Sequence, residues 1–507
     1  MNGTLLPLFV AIPLGGAFLV AFLGRYSRAL ADALGSAATL ALLALAVLLR
    51  GVRGTYAIGG WPAPVGIVWS VDGLTTMMLI VVNAISFAAT LFSAPYLARF
   101  TAKGKYYGLF LLMVAGMNGV VLTGDLFNLF VFLEIASVAS YALVAFGCEH
   151  EELEASFKYL VLGSLGSTLI LFAIALLYGA TGFLTMASVS QAIAERGGSP
   201  LVVLAVVFFV VGFGIKAALV PFHPWLPDAH PSAPAPISAM LSGVLIKTLG
   251  IYALARLAFN IVGMDGTFAT ILMAVGVLSM TVGVFLAVGQ WDLKRLLAYH
   301  SISQMGYVIL GLGLGGYLLA TGGSAATASL AMLGGLFHLA NHAVFKSLLF
   351  LCSGSIEQAT GTRQLKEMGG LGERMPLTRA TCTIASLSIA GVPPFNGFWS
   401  KLLIVIACFQ AGFHGLAAVT LLVSFVTLVS FLKVLRYAFL GSLPEALREV
   451  RESPLLMSFA MTLLAVLCAG MGLLLVGGAR EAFLQPAVNA LKTGLEYARD
   501  VLARSGG

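Results

Sequence analysis

The sequence predicts an all-α polytopic membrane protein, on three observations. Of 507 residues, 59% are hydrophobic and only 10% are charged, against about 25% charged in soluble domains. Apolar runs near the roughly 20 residues that cross a hydrocarbon core recur along nearly the whole chain. Two of these runs are broken by proline, at Val220-Pro221-Phe222-His223-Pro224-Trp225 and Val392-Pro393-Pro394-Phe395-Asn396-Gly397.

Spans are expected near 3–23, 30–49, 70–97, 106–123, 126–147, 156–180, 200–219, 235–262, 267–289, 296–320, 326–353, 378–395, 399–440 (a half-span and a full one) and 455–477. That makes about fourteen helices, two of them broken. Asp125, after Gly124, reads as the N-cap of the fifth span. The sixth opens with Glu149, Glu151, Glu152, Glu154 and Lys158. A solvated acidic start suits the helix dipole and a Glu154–Lys158 pair one turn apart; a proton-collecting role competes with it. Gly311, Gly313, Gly315 and Gly316 are not followed by Lys-Ser/Thr, so close helix packing explains them better than a phosphate loop. The longest polar stretch, Glu357 to Arg379, reads as a connection at one membrane face. After the last span, Leu484, Val488, Leu491, Leu495, Ala498 and Leu502 recur at helical spacing, with Lys492, Glu496, Arg499 and Asp500 between them. This predicts an amphipathic helix lying on the membrane surface or against a partner subunit. The chain thus divides into a membrane domain, 1–478, and a C-terminal helix, 479–507, with no soluble module.

The net charge of +7 is not a nucleic-acid signal; its location is more telling. One set of loops holds Arg25, Arg28, Arg99, Lys103, Lys105, Lys294, Arg295, Arg363, Lys366, Arg374, Arg448 and Arg451, and the opposite set little beyond Arg50, Arg53 and Arg196. The positive-inside rule puts the first set in the cytoplasm and both termini outside. Arg25 follows the first apolar run instead of preceding it, so no cleavable signal peptide is expected. The five cysteines, Cys148, Cys352, Cys382, Cys408 and Cys468, are single and form no Cys-x-x-Cys pair. No iron–sulfur or zinc ligand set is expected, and any redox cofactor would belong to partners.

Four ionisable residues interrupt or adjoin the apolar stretches: Glu134, Lys216, Lys247 and Lys401. An uncompensated charge at mid-bilayer costs about 2.5–3.5 kcal/mol on insertion scales, so such residues pair or line a watery path. Glu134, in the middle of the fifth span, reads as a counter-charge to a lysine on another helix; a protonated carboxyl bonded to a neighbouring helix is the plainer alternative. Lys216 lies one turn before Pro221, whose missing N–H frees a carbonyl one turn earlier. Polar backbone at that depth needs water or protein, so Lys216 is expected to be hydrated and titratable. Lys247, inside the next span, reads alike. His338, His342 and Lys346 fall at i, i+4 and i+8 on one face, in steps of about 6 Å that need bridging waters. Metal binding by His-x-x-x-His competes but lacks a third ligand, and satisfied core histidines are the plain reading. His223 and His230 bracket the first break, with Asp228 between them, and carry structural and functional readings equally. Interrupted helices in both halves, each beside a lysine, are the signature of an internally repeated transporter. Charge plus broken helix at membrane depth reads as ion translocation. No nucleophile–base pair for hydrolysis is evident.

Three segments carry a family resemblance: Asp125-Leu126-Phe127-Asn128-Leu129-Phe130-Val131-Phe132-Leu133-Glu134, the run from Lys216 through Val220-Pro221-Phe222-His223-Pro224-Trp225-Leu226-Pro227-Asp228-Ala229-His230, and Ser238 to Lys247. Asp292 to Gly306 and Asn341-His342-Ala343-Val344-Phe345-Lys346 agree with them. These strongly resemble the antiporter-like subunits of respiratory complex I, a family that includes the Mrp-type cation/proton antiporters and the membrane-bound group 4 hydrogenases. The resemblance covers nearly the whole chain and lies nearest the Mrp D-type and hydrogenase-associated branch. It implies fourteen helices with inverted repeats and a central polar axis. In it, Glu134 would pair with Lys216, Lys247 would relay, the His338–His342–Lys346 region would continue the path, and Lys401 would be the terminal lysine. Some members carry glutamate at that last position. It also implies other membrane subunits as partners, protons (with Na+ in an antiporter) as cargo, and a prokaryotic cell membrane. A subunit of a redox complex and a non-transporting scaffold are the rival readings. An independent solute carrier is disfavoured, because no substrate-sized polar cluster is visible.

Overall fold

A computed structural model describes residues 3–100 and 102–505, without the side chains of Gly3, Arg99 and Ser505; Arg99 of the basic set therefore lies outside the described side chains. The chain runs α1 (Leu8–Leu23), α2 (Arg28–Leu48), β1 (Gly54–Ala57), β2 (Val68–Val71), α3 (Gly73–Tyr96), α4 (Lys103–Leu122), α5 (Leu126–Val144), α6 (His150–Thr181), α7 (Met186–Arg196), α8 (Pro200–Lys216) and α9 (Leu226–Ser232). It continues through α10 (Ala235–Ile261), α11 (Gly266–Val288), α12 (Leu293–Ala320), α13 (Ala325–Thr360), α14 (Pro376–Ala390), α15 (Asn396–Gln410), α16 (His414–Phe439), α17 (Leu455–Leu475), α18 (Gln485–Lys492) and α19 (Glu496–Ser505). Among the described residues, eleven helices are long and apolar enough to cross a membrane, and α1 and α8 are shorter apolar helices. A count of about fourteen is reached only by adding those two and treating α14 with α15 as one broken span.

Helix starts follow their caps. The Asp72 side chain accepts from Thr75 N–H at 2.9 Å and Asp125 from Asn128 N–H at 2.8 Å, each satisfying an otherwise orphaned donor. The Asp72 cap also moves the start of the third span from the expected 70 to Gly73. The residues before it form an antiparallel hairpin, Gly54↔Val71 to Ala57↔Val68. The hairpin is a small addition to the all-α fold that the sequence did not signal: four-residue strands beside an apolar run are too short to show their period of two.

Both breaks satisfy the backbone groups they free. After α8, Ala218 turns the chain with φ +53°; the Trp225 indole donates to the Ile215 carbonyl at 2.9 Å and Val220 N–H to Ser279 Oγ at 3.0 Å. After α14, the Ile389 carbonyl accepts the Lys401 ammonium at 2.7 Å and the Ala390 carbonyl accepts Ser424 Oγ at 2.9 Å. Irregular backbone at depth is tolerated where protein meets it in this way. Helix α10 is wound in π turns over Leu241–Leu245, Lys247–Tyr252 and Arg256–Ile261, a geometry frequent at functional positions.

The glycine run of α12 packs as expected: a Cβ on Gly311 would lie 2.9 Å from the Ala331 carbonyl and from the Gly335 backbone of α13. Backbone stands on that side, so nothing yields. Gly311→Val is expected to cost about 1–3 kcal/mol by overpacking, read as a lower thermal-unfolding midpoint of the detergent-solubilised protein.

The C-terminal unit departs from expectation twice. It is two helices, broken at Gly494 with φ +52°. Its apolar face, Leu484, Val488 and Leu491, then Tyr497, Ala498 and Val501, is buried against this chain's own α3, α7 and β1. That face is therefore committed to the fold of this chain. Asn260 of α10 fastens it, donating to the carbonyls of Ala490 at 2.9 Å and Gly494 at 3.2 Å. Residues 506–507 of the expected unit lie outside the described residues.

Candidate functional site

The polar axis begins on α5. Glu134, Ser137 and Tyr141 sit at i, i+3 and i+7, so one helix face presents all three. Lys216, at the last turn of α8 before the break, lies 3.8 Å from the Glu134 carboxylate. Its ammonium donates to Ser137 Oγ at 3.0 Å and Tyr141 OH at 3.3 Å. Ser167 of α6 donates to the other side of the pair, onto Glu134 Oε1. The two partners differ sharply in burial: the Lys216 side chain is 3% exposed and that of Glu134 31%. Three protein oxygens, from Glu134, Ser137 and Tyr141, surround the Lys216 ammonium.

Lys247 is fully buried and donates to the Ser242 carbonyl at 2.5 Å, an acceptor within the π-wound stretch. Ser242 Oγ in turn meets Ser301 Oγ of α12 at 2.7 Å. On α13, Lys346 has no hydrogen-bond partner among the described residues, and neither do the two ring nitrogens of His342. His338 Nδ1 meets Ser400 Oγ at 2.9 Å while its Nε2 is unpartnered. The three share a face, as the spacing requires, and form no direct bonds to one another. Lys401 is held by the Ile389 carbonyl, by Ser424 Oγ at 3.2 Å and over the Tyr307 ring at 4.7 Å. Beside it opens a cleft of about 100 Å3 lined by Gly391, Phe398, Thr420 and Ser424. Among the described residues, Lys247, Lys346 and Lys401 form no ion pair; only Lys216 of the four lysines does.

At the basic end, Lys294 pairs with Glu357 at 2.8 Å, Arg363 with Asp292 at 3.1 Å and Arg295 with Asp228 at 3.4 Å. The Glu154–Lys158 pair forms at 2.8 Å, and Lys158 also reaches Asp228 at 3.1 Å. Glu154, Lys158, Asp228, Asp292, Arg295 and Arg363 line a vestibule of about 590 Å3, a polar cluster that the sequence did not disclose because its members come from four separate segments. His230, left open between two readings, is fully buried, stacks on Phe350 at 4.5 Å between ring centroids and has both nitrogens unpartnered. His300 and Gln304 of α12 are also fully buried and escaped the reading, although their i, i+4 spacing in an apolar span is the same signal that singled out His338 and His342.

With this geometry in view, the comparisons agree with one another. Residues 123–428 match the family model described as NADH:quinone oxidoreductase/Mrp antiporter, TM. The chain is 38% identical over 448 residues to the NADH-quinone oxidoreductase subunit N of Desulforudis audaxviator, across 87% of this chain and 86% of that protein. It is 35% identical over 447 residues to the D-type subunit of the Na(+)/H(+) antiporter of Alkalihalophilus pseudofirmus, across 87% of each. A chain of the Mrp complex from Dietzia sp. DQ12-45-1b superposes with a TM-score of 0.87 at 30% identity, over 98% of this chain and 99% of that one. The matched region holds every axis residue from Glu134 to Lys401, and the chain belongs to the NADH:quinone oxidoreductase/Mrp antiporter transmembrane family.

Proposed function

We propose that this chain is a proton-translocating, antiporter-like membrane subunit of a multisubunit complex, of the D type found in Mrp cation:proton antiporters. The observation that carries the reading is one ion pair, Glu134–Lys216, at the head of a row of buried lysines and histidines that lack counter-ions among the described residues. A buried lysine without a counter-charge is costly to keep protonated, so a proton placed on one has reason to move to the next. The carriers are Glu134, Lys216, Lys247, His338, His342, Lys346 and Lys401, with no cofactor in the chain. The positive-inside rule supports the vestibule end inward and both termini outward, and the bacterial relatives support a prokaryotic cell membrane. A proton-pumping subunit of a quinone-reducing complex is the second reading, favoured by the 38% identity to a protein named NADH-quinone oxidoreductase subunit N.

The test is proton flux in vesicles holding the purified native complex, with and without Na+. Sodium-dependent flux without a redox substrate fits the antiporter; flux only during quinone reduction fits the second reading. Lys247→Ala and Lys401→Ala are each expected to lower flux per assembled complex by about a hundredfold or more, the scale of losing one positioned proton-transfer group. A scaffold would instead show altered assembly and unchanged turnover.

A further inference from the structure

The axis as described leaves two fully buried polar side chains of α12 unused. His300 Nε2 meets Ser430 Oγ of α16 at 2.8 Å, and its Nδ1 has no partner. One turn along, both amide atoms of Gln304 are unpartnered. Tyr307 follows on the same face and carries the Lys401 ammonium over its ring at 4.7 Å. In the other direction, Lys433 stands one turn beyond Ser430 on α16. Its ammonium donates to the carbonyls of Val288 at 2.7 Å and Gln290 at 2.6 Å. Gln290 also lines the charged vestibule. The charged groups that act on the His300 ring are Lys346, Lys401 and Lys433, and the Phe431 ring lies 4.8 Å from it.

We infer that Lys433, Ser430, His300 and Gln304 form a branch through which Lys401 exchanges protons with the vestibule, in series with the Lys247–Lys346 stretch of the axis. The inference rests on the proton-translocating reading above. The chemistry is a relay with no net change. The neutral imidazole takes a proton on one ring nitrogen and releases one from the other, the Ser430 hydroxyl accepting on one lone pair as it gives up its own proton. The gap from His300 past Gln304, about 6 Å along the helix, is bridged by water that the Gln304 amide orients; the amide itself takes up and releases no proton. An unpartnered buried polar atom costs free energy unless something meets it. A relay needs that same free valence, whereas a packing role for His300 would not.

The experiment uses the assembled complex in vesicles, with flux normalised to complex content and measured in H2O and D2O. His300→Gln keeps a side chain able to bond Ser430 but cannot pass a proton through a ring. It is expected to lower flux about tenfold and to enlarge the slowing by D2O; Ser430→Ala, a smaller change, should act in the same direction. Wild-type flux with an unchanged D2O ratio in His300→Gln would overturn the branch. If His300→Gln does not assemble, normal flux in Ser430→Ala overturns it instead. Absence of proton flux in the wild-type complex, by contrast, sinks the functional reading and the branch with it.

Discussion

Lys216→Met, in a complex that still assembles, is expected to bring proton flux down to background, by about two orders of magnitude or more. Two unit charges 3.8 Å apart interact by roughly 4 kcal/mol at an effective dielectric of 20. The partial exposure of Glu134 makes that an upper figure. Driving one charge against 100 mV takes about 2.3 kcal/mol. Making or breaking this one pair, driven by the rest of the complex, therefore shifts the proton affinity of Lys216 on the scale of that cost, and among the described residues no later lysine of the axis has a carboxylate to do the same. Glu134→Gln acts differently: it leaves Lys216 buried beside a neutral amide, and removing one member of a buried pair costs about 3–5 kcal/mol. Its first symptom should be poor assembly. The double variant, with neither charge, should assemble better than Glu134→Gln alone and remain silent. Quenching of a pH-sensitive dye in vesicles, scaled to complex content, reads all three. Undiminished flux in Lys216→Met would remove the pair from the mechanism.

How much of this was legible beforehand differs from residue to residue. Glu134, Lys216, Lys247 and Lys401 stood out because a charge inside a long apolar run has few innocent explanations. The breaks stood out because proline removes a donor that lipid cannot replace. The vestibule did not, since Lys158, Asp228, Asp292 and Arg363 lie far apart in the chain and the sequence joined only Lys158, to Glu154 one turn away on its own helix. The C-terminal periodicity was correct as a pattern, but a pattern says that a face is covered and not by what. Arg256 drew no attention because an arginine near the end of an apolar span ordinarily snorkels to the surface. In the fold it is buried and committed to Asp72.

That commitment sets the second large effect, which is on stability. Arg256 meets Asp72 through two parallel bonds of 2.6 Å, a bidentate geometry that lysine cannot reproduce. The same guanidinium donates to Tyr252 OH at 3.1 Å, to Asn260 Oδ1 at 3.2 Å and to Thr75 Oγ1 at 3.0 Å. It thereby joins the start of α3, the last π turn of α10 and, through Asn260, the C-terminal helices. Arg256→Met is expected to cost up to about 3–5 kcal/mol, because Asp72, 22% exposed, is left half-buried and unpaired. It should also release the C-terminal unit to protease near Gly494. Asp72→Asn combined with Arg256→Met should recover much of the loss, since the uncompensated charge is then gone. The pH dependence gives a separate reading. Burial pushes the Asp72 carboxyl up, but Arg256 and the hydrogen bonds around it outweigh that and hold it below the usual carboxylate range. A group depressed in the folded state stabilises above its unfolded value, about pH 3.9, and that stabilisation is lost as pH falls through the folded value. The wild-type Tm should therefore fall more steeply than that of Arg256→Met below about pH 4. Equal Tm values at pH 7 and equal protease resistance would mean that the C-terminal unit is held by its apolar face alone.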